Sequence, residues 1–220
     1  MARKIPLLDF GSLAVKTPLV FPGQRVGIMG GTFNPAHGGH GIVAETAVKR
    51  LQLDQLWVVV TPGNPLKANG GLPPLGERMR DARKFAKQPR MKVTGFEAEL
   101  GTPYTAAMLN FLKRRYPDVH FVWVMGADNL ASFDRWQHWQ SIAAAFPIAV
   151  VDRPGWRLKA LSACAGAALA DRRVPEQLAA ALPLMQPPAW TLLTTRLSPL
   201  SSTALRSVRP PNSGKPPDKT

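Results

Sequence analysis

Two hydrophobic periods take turns along this chain, and their order predicts the layout of the fold. Residues 25–30 form a short apolar run ending in Gly30 and Gly31, which predicts a strand that feeds a glycine turn. Residues 40–51 then space Val43, Ala47, Val48 and Leu51 along one helical face. Residues 56–60 are continuously apolar and stop at Thr61-Pro62-Gly63, as a strand buried on both faces of a parallel sheet does. Strand, helix and strand in that order make a βαβ unit. Helical spacing returns at 75–88 and 103–116, and strand-like runs return at 91–94, 120–125 and 147–151. This alternation predicts an α/β fold with a doubly wound parallel sheet. The alanine-rich segment 157–182 predicts a helix broken near Pro175. Residues 190–194 predict a last strand, and a short helix is expected from Ser202.

The punctuation between these elements sets the expected organisation. Residues 1–24 mix charge, apolar residues and proline before the first clear strand and are expected to be an N-terminal extension. Residues 61–74 are dense in proline and glycine and too long for a simple turn, which makes them a candidate substrate loop. Residues 210–220 hold proline, lysine, serine and glycine without core-forming content and are expected to be a flexible, solvated tail. Residues 25–209 are left as the folded domain.

Composition narrows the class. The 220 residues are 45% hydrophobic, enough for one substantial core, and carry no polar bias of the disordered kind. Lys and Arg number 28 against 14 Asp and Glu, a net charge of +14 that favours polyanions such as ATP, pyrophosphate or RNA. Arg78, Arg80, Arg83, Lys84 and Lys87 are spread around their predicted helix, which favours a solvated face over an RNA platform, and no interleaved aromatic series is present to stack bases. Cys164 is the single cysteine and is expected to be a small buried filler in a protein of the reducing cytoplasm. No run of roughly 18 apolar residues occurs, so neither secretion nor membrane insertion is expected.

The chemistry concentrates in Gly30-Gly31-Thr32-Phe33-Asn34-Pro35-Ala36-His37-Gly38-Gly39-His40. This segment leaves a predicted strand and opens a predicted helix, where backbone amides and the helix dipole bind phosphate. Gly30 and Gly31 would let the main chain approach a nucleotide, while Gly38 and Gly39 would clear the helix start. His37 and His40 are three apart and would face one site if the helix begins near Gly38. On these residues alone, a turn with one capping imidazole remains an open alternative. A zinc pair would need a third ligand at a familiar spacing, and none is evident. The segment also lacks the Lys and Ser or Thr of a Walker A loop.

The same segment resembles the signature of the bacterial-type nicotinate mononucleotide adenylyltransferase family, within the nucleotidylyltransferase superfamily. Leu200-Ser201-Ser202-Thr203-Ala204-Leu205-Arg206 resembles a second element of that family, a Ser-x-Thr-x-x-Arg helix start. Pro103-Tyr104-Thr105-Ala106, Met125-Gly126-Ala127-Asp128-Asn129-Leu130 with Phe133 and Trp136, and Arg153-Pro154-Gly155 resemble further blocks, so the likeness runs over residues 25–209.

The resemblance implies a Rossmann-like nucleotidylyltransferase domain that moves AMP from ATP, its Mg²⁺ bound with it, onto nicotinate mononucleotide in NAD biosynthesis. It implies His37, His40 and Arg206 as the catalytic donors to phosphate. It implies Gly30, Gly31, Thr32, Phe33, Gly39, Asp128, Ser201 and Thr203 as ATP contacts. It also implies Lys67, Tyr104, Thr105, Trp136 and Arg153 as acceptor contacts, with Thr105 at the carboxylate and Trp136 on the pyridine ring. Bland alternatives stand beside these roles: a helix cap at Thr105 or Asp128, core packing for Trp136, a surface lysine at 67. No resident protein metal site, no specific nucleic acid and no membrane are expected, and association into a homo-oligomer is left open. The alternatives are nicotinamide mononucleotide or another phosphorylated acceptor, and a noncatalytic RNA-binding or regulatory protein. One departure is the tail: relatives continue in helix beyond the Ser-x-Thr-x-x-Arg element, whereas this chain enters Arg209-Pro210-Pro211.

Overall fold

The computed structural model describes residues 15–63, 71–102 and 104–195. Its centre is a six-stranded sheet of β1 (Arg25–Gly31), β2 (Gln55–Val60), β3 (Met91–Thr94), β4 (His120–Gly126), β5 (Ile148–Val151) and β6 (Trp190–Leu193). The spatial order is β3-β2-β1-β4-β5-β6, and each pairing between neighbours is parallel. Order reverses at β1, which lies between β2 and β4. That reversal opens a crevice at the carboxyl ends of β1 and β4, the place where open α/β sheets take ligands.

Two apolar layers sandwich the sheet because successive strand residues face opposite sides. Ile28, Trp57, Val59, Trp123, Met125 and Val150 face one layer. There they meet Met108, Leu109 and Leu112 of α3 (Thr105–Arg115) and Ile142 of α5 (Trp139–Ala145). Met29, Val58, Val60, Val122, Val124 and Ala149 face the other. Here they pack on Val43, Ala44, Ala47 and Val48 of α1 (Gly38–Arg50) and Ala82 of α2 (Leu75–Arg83). The periodicity that predicted α1 thus describes its packed face. Packing also reaches upstream of β1: Val15 is buried in the first layer, and the Thr17 hydroxyl hydrogen-bonds the Tyr116 hydroxyl.

The structure departs from the sequence expectations in several places. The helix expected over 75–88 ends at Arg83, where Lys84 and Phe85 close three-residue turns onto Asp81 O and Ala82 O. Pro89 disfavours helical backbone just before it, and the early exit lets the Phe85 ring turn back under Phe33 at 5.7 Å. The long helix expected over 157–182 is instead α6 (Arg157–Ser162), α7 (Cys164–Ala168) and 3₁₀ turns at Ala170–Arg172 and Glu176–Leu184. Ala163 is extended between α6 and α7, and a Cβ on Gly166 would lie 2.1 Å from Ala160 O, so the backbones meet too closely for one straight helix. Cys164, expected to be buried, is exposed on the first turn of α7. Among the described residues, no helix is long and apolar enough to cross a membrane.

Candidate active site

β1 runs out at Gly31, and the chain makes one tight turn before α1 begins at Gly38. Phe33 takes the left-handed backbone conformation in that turn, with φ 47°. For a bulky residue this conformation costs on the order of 1–3 kcal/mol and persists only where surroundings hold it. The surroundings here are aromatic. Phe33 is buried, its ring edge-on to His40 at 5.0 Å, and Phe85 stacks against His40 from another side at 5.8 Å.

His37 and His40 bracket the first turn of α1, with ring centroids 3.7 Å apart and planes within 28°. The His37 backbone N–H donates to His40 Nδ1 at 3.2 Å. That bond makes Nδ1 the acceptor, so neutral His40 carries its proton on Nε2. His37 is only 7% exposed, and neither of its ring nitrogens has a hydrogen-bond partner. Burial first, then the nearby Arg153 charge, pull its pKa from 6.5 down to about 4 against the opposing pull of Asp128. A buried, neutral imidazole at a helix N-terminus can donate one hydrogen bond and accept another.

The opposite wall comes from β4 and β5. Gly126 ends β4, and Asp128 follows at the start of the single-turn helix α4 (Ala127–Leu130). Arg153 Nη1, beyond the end of β5, donates to Asp128 Oδ2 at 3.1 Å, while Asp128 Oδ1 is buried without a partner. A Cβ on Gly126 would lie 2.5 Å from Asp128 Oδ1 and 2.9 Å from Arg153 Cδ, so the ion pair needs glycine there. The strand order sets the ends of β1, β4 and β5 side by side, and the charges of Arg153 and Asp128 act on His37 in opposite senses.

Gly30 lies against the indole of Trp123. A Cβ there would meet Trp123 Cη2 at 2.8 Å, and Trp123 in turn touches Trp136 edge-on at 6.0 Å. Trp136 is partly buried between Trp123 and Phe133. Tyr104 is exposed at the N-cap of α3 and Thr105 is its first helical residue, on the sheet face opposite α1. A cleft of about 590 Å³ between α1 and α2 reaches Gly38 and His37 from the Phe85 side; Asp128 and Arg153 do not line it. Thr32 lies in the stretch between β1 and α1, and Gly39 in the first turn of α1. Lys67, Ser201, Thr203 and Arg206 lie outside the described residues. Among the described residues, no group of three or more His, Cys, Asp and Glu side chains is placed to hold a metal ion.

Sequence reasoning misplaced Arg78, which it put on a solvated face. The side chain is 3% exposed and donates to the carbonyls of Pro73, Thr32, Thr61 and Pro62 at 2.7–3.3 Å. A signal was present: Arg78 shares the i, i+3, i+4 stripe of Leu75, Met79 and Ala82, the apolar face of α2. The neighbouring run of charges masked it. Glu97 was missed outright. It is 4% exposed in the 3₁₀ turn Phe96–Leu100 after β3, and burial raises its pKa to about 7 despite a hydrogen bond with the Thr61 side chain.

Comparison with known proteins agrees with this geometry. Residues 28–208 match the family model described as cytidylyltransferase-like. The chain belongs to that family. It is 54% identical over 186 residues to a "probable nicotinate-nucleotide adenylyltransferase" of Brucella abortus, covering 84% of this chain and 96% of that one. It is 56% identical over 186 residues to the protein of the same name from Rhizobium meliloti, covering 84% and 99%. Among solved structures, nicotinic acid mononucleotide adenylyltransferase of Plasmodium falciparum complexed with NaAD shares the fold. The TM-score is 0.63 at 16% identity, over 84% of this chain and 83% of that one. The family resemblance read from the motifs and the Rossmann-like parallel sheet are thus both borne out.

Proposed function

We propose that this chain transfers the adenylyl group of ATP to nicotinate mononucleotide, producing nicotinate adenine dinucleotide and pyrophosphate for NAD biosynthesis. The observation that carries the proposal is His37: buried, neutral, without partners at either nitrogen, and stacked on His40 at the start of α1. The 52–56% identical relatives bearing that activity in their names support the choice of reaction.

The reaction needs no covalent enzyme intermediate. An oxygen of the acceptor's 5′-phosphate bonds to the α-phosphorus of ATP as the bond to the bridging α,β oxygen breaks in line, and pyrophosphate departs with the bonding pair. Negative charge grows on the α-phosphoryl oxygens and on the leaving group. His40 Nε2–H, His37 and the free amides at the start of α1 would donate to that charge. Arg206, with Ser201 and Thr203, would also hold the triphosphate. Magnesium enters as the MgATP substrate, its ligands chiefly phosphate oxygens and water. Asp128 Oδ1, unpaired in the protein, would accept from the nucleoside.

The acceptor would lie across the crevice, its pyridine ring against Trp136 and its carboxylate at the start of α3 by Tyr104 and Thr105. Lys67 and Arg153 would neutralise its phosphate. We place the reaction in the cytoplasm, in keeping with a lone unpaired cysteine.

Pyrophosphate release, measured with ATP and each mononucleotide in turn, tests this reading directly. Wild-type protein should turn over with nicotinate mononucleotide, and His37→Ala should lose about 10²–10³ in kcat while staying folded. No release with any mononucleotide would sink it.

A further inference from the structure

Arg78 is unusual for a buried residue because its partners are all main-chain carbonyls, drawn from three separate stretches of chain. Nε donates to Pro73 O at 2.9 Å, ahead of α2. Nη1 donates to Thr32 O at 3.0 Å, in the loop after β1, and to Thr61 O at 2.7 Å, in the loop after β2. Nη2 donates to Pro62 O at 3.3 Å. Burying a guanidinium carries a desolvation penalty that an apolar side chain of similar length would avoid. Only arginine spreads five donors over a flat fork wide enough to meet four carbonyls; lysine offers three donors on one atom.

Thr61 makes the junction tighter. Its N–H donates to Gly31 O at 3.0 Å, and its side chain hydrogen-bonds the buried Glu97 carboxyl and Gly63. The loops after β1 and β2 and the turn after β3 are therefore tied together at one edge of the sheet. The first of these loops goes on through Phe33 to His37 and His40. The second opens the proline-rich segment that carries Lys67.

We propose that Arg78 is a positioning residue for adenylyl transfer: its four main-chain hydrogen bonds hold the loop leading to His37 and His40 in register with the loop leaving β2. The proposal rests on the transferase reading above. Arg78 touches neither reacting phosphate; it acts through Thr32 and Thr61. Misplacement of reacting groups by about 1 Å can cost on the order of 10²-fold in rate, and a loosened β1 loop would produce it.

The test compares Arg78→Lys and Arg78→Met with Ala82→Gly, a buried position on the same helix whose methyl group makes no hydrogen bond to either loop. Melting temperature, kcat, and KM for ATP and for nicotinate mononucleotide are measured for each. All three variants are expected to melt lower. The two Arg78 variants should also lose about 100-fold in kcat with smaller changes in KM, whereas Ala82→Gly should keep the wild-type kinetic constants at temperatures where it is folded. Wild-type kinetics in Arg78→Lys, or an equal kcat loss in Ala82→Gly at matched melting temperature, would overturn the proposal. Amide hydrogen exchange on the wild-type chain needs no variant: saturating ATP should slow exchange at Thr61 and Gly63 together with His40. Slowing confined to residues 31–40 would count against the coupling. Wild-type protein without activity would overturn the transferase reading and this proposal with it, while an active wild type with unimpaired Arg78 variants overturns this proposal alone.

Discussion

His37 and Glu97 are buried groups pushed in opposite directions by the same cause. Loss of water disfavours the charged form of each, lowering the imidazole to about 4 and raising the carboxyl to about 7. Their effects on stability therefore oppose each other. The unfolded chain binds more protons than the folded one at His37 between about pH 4 and 6.5, so that contribution falls away as the pH drops through this window. The folded chain binds more protons at Glu97 between about pH 4.5 and 7, so that contribution is lost as the pH rises. Each window amounts to roughly 3 kcal/mol, and where they overlap the wild-type stability should be nearly flat. Glu97→Gln removes one arm. Urea unfolding of that variant should show stability climbing from pH 4.5 to 6.5, and at pH 8 it should exceed wild type. A pH-independent difference between the two proteins would mean that Glu97 is not protonated in the folded state near neutrality.

At the level of elements, legibility followed contrast between neighbouring positions. The start of α1 could be read because Gly38 and Gly39 are followed by the regular Val43, Ala47, Val48 stripe, and β1, β2 and β4 because their apolar runs stop at or within two residues of glycine or proline. Residues 157–182 offered no such contrast, since alanine suits either side of a helix and says little about where the backbone must bend. Nor does a strand sequence announce that a side chain at Gly30 would run into Trp123. Under the proposed placement of the acceptor, the helix that bears on specificity is α3. Free amides at its start, beside Thr105, can donate to a carboxylate, whereas a carboxamide would present an NH₂ to donors and leave buried groups unpaired. Sites built on such contacts discriminate by about 10⁴. Nicotinate mononucleotide should accordingly outperform nicotinamide mononucleotide in kcat/KM by that order, and Thr105→Ala should narrow the gap. Comparable efficiency with both acceptors in the wild type would place the carboxylate elsewhere while leaving adenylyl transfer intact.

At the scale of the whole molecule, the core closes within the described residues, from Val15 to Leu193. The composition after Arg209 has little apolar surface to offset the entropy of ordering it. Removing residues 210–220 should leave both melting temperature and kcat nearly unchanged; a folded truncation that has lost most of its activity would assign the tail a part in closing the site. The strand order carries a different consequence, for how the molecule is made. His37 and His40 follow β1, while Asp128 and Arg153 follow β4 and β5, and the two groups meet only across the β1–β4 seam, where Arg25 pairs with His120. During synthesis the first three strands leave the ribosome with one half of the crevice and nothing to face it. Long-range parallel pairing of this sort forms late and slowly, so the two halves of the crevice meet only once the seam has closed. A nascent chain stalled short of β4 should bind no ATP, and in refolding experiments the recovery of binding should track the docking of the two halves rather than the earlier gain of helix.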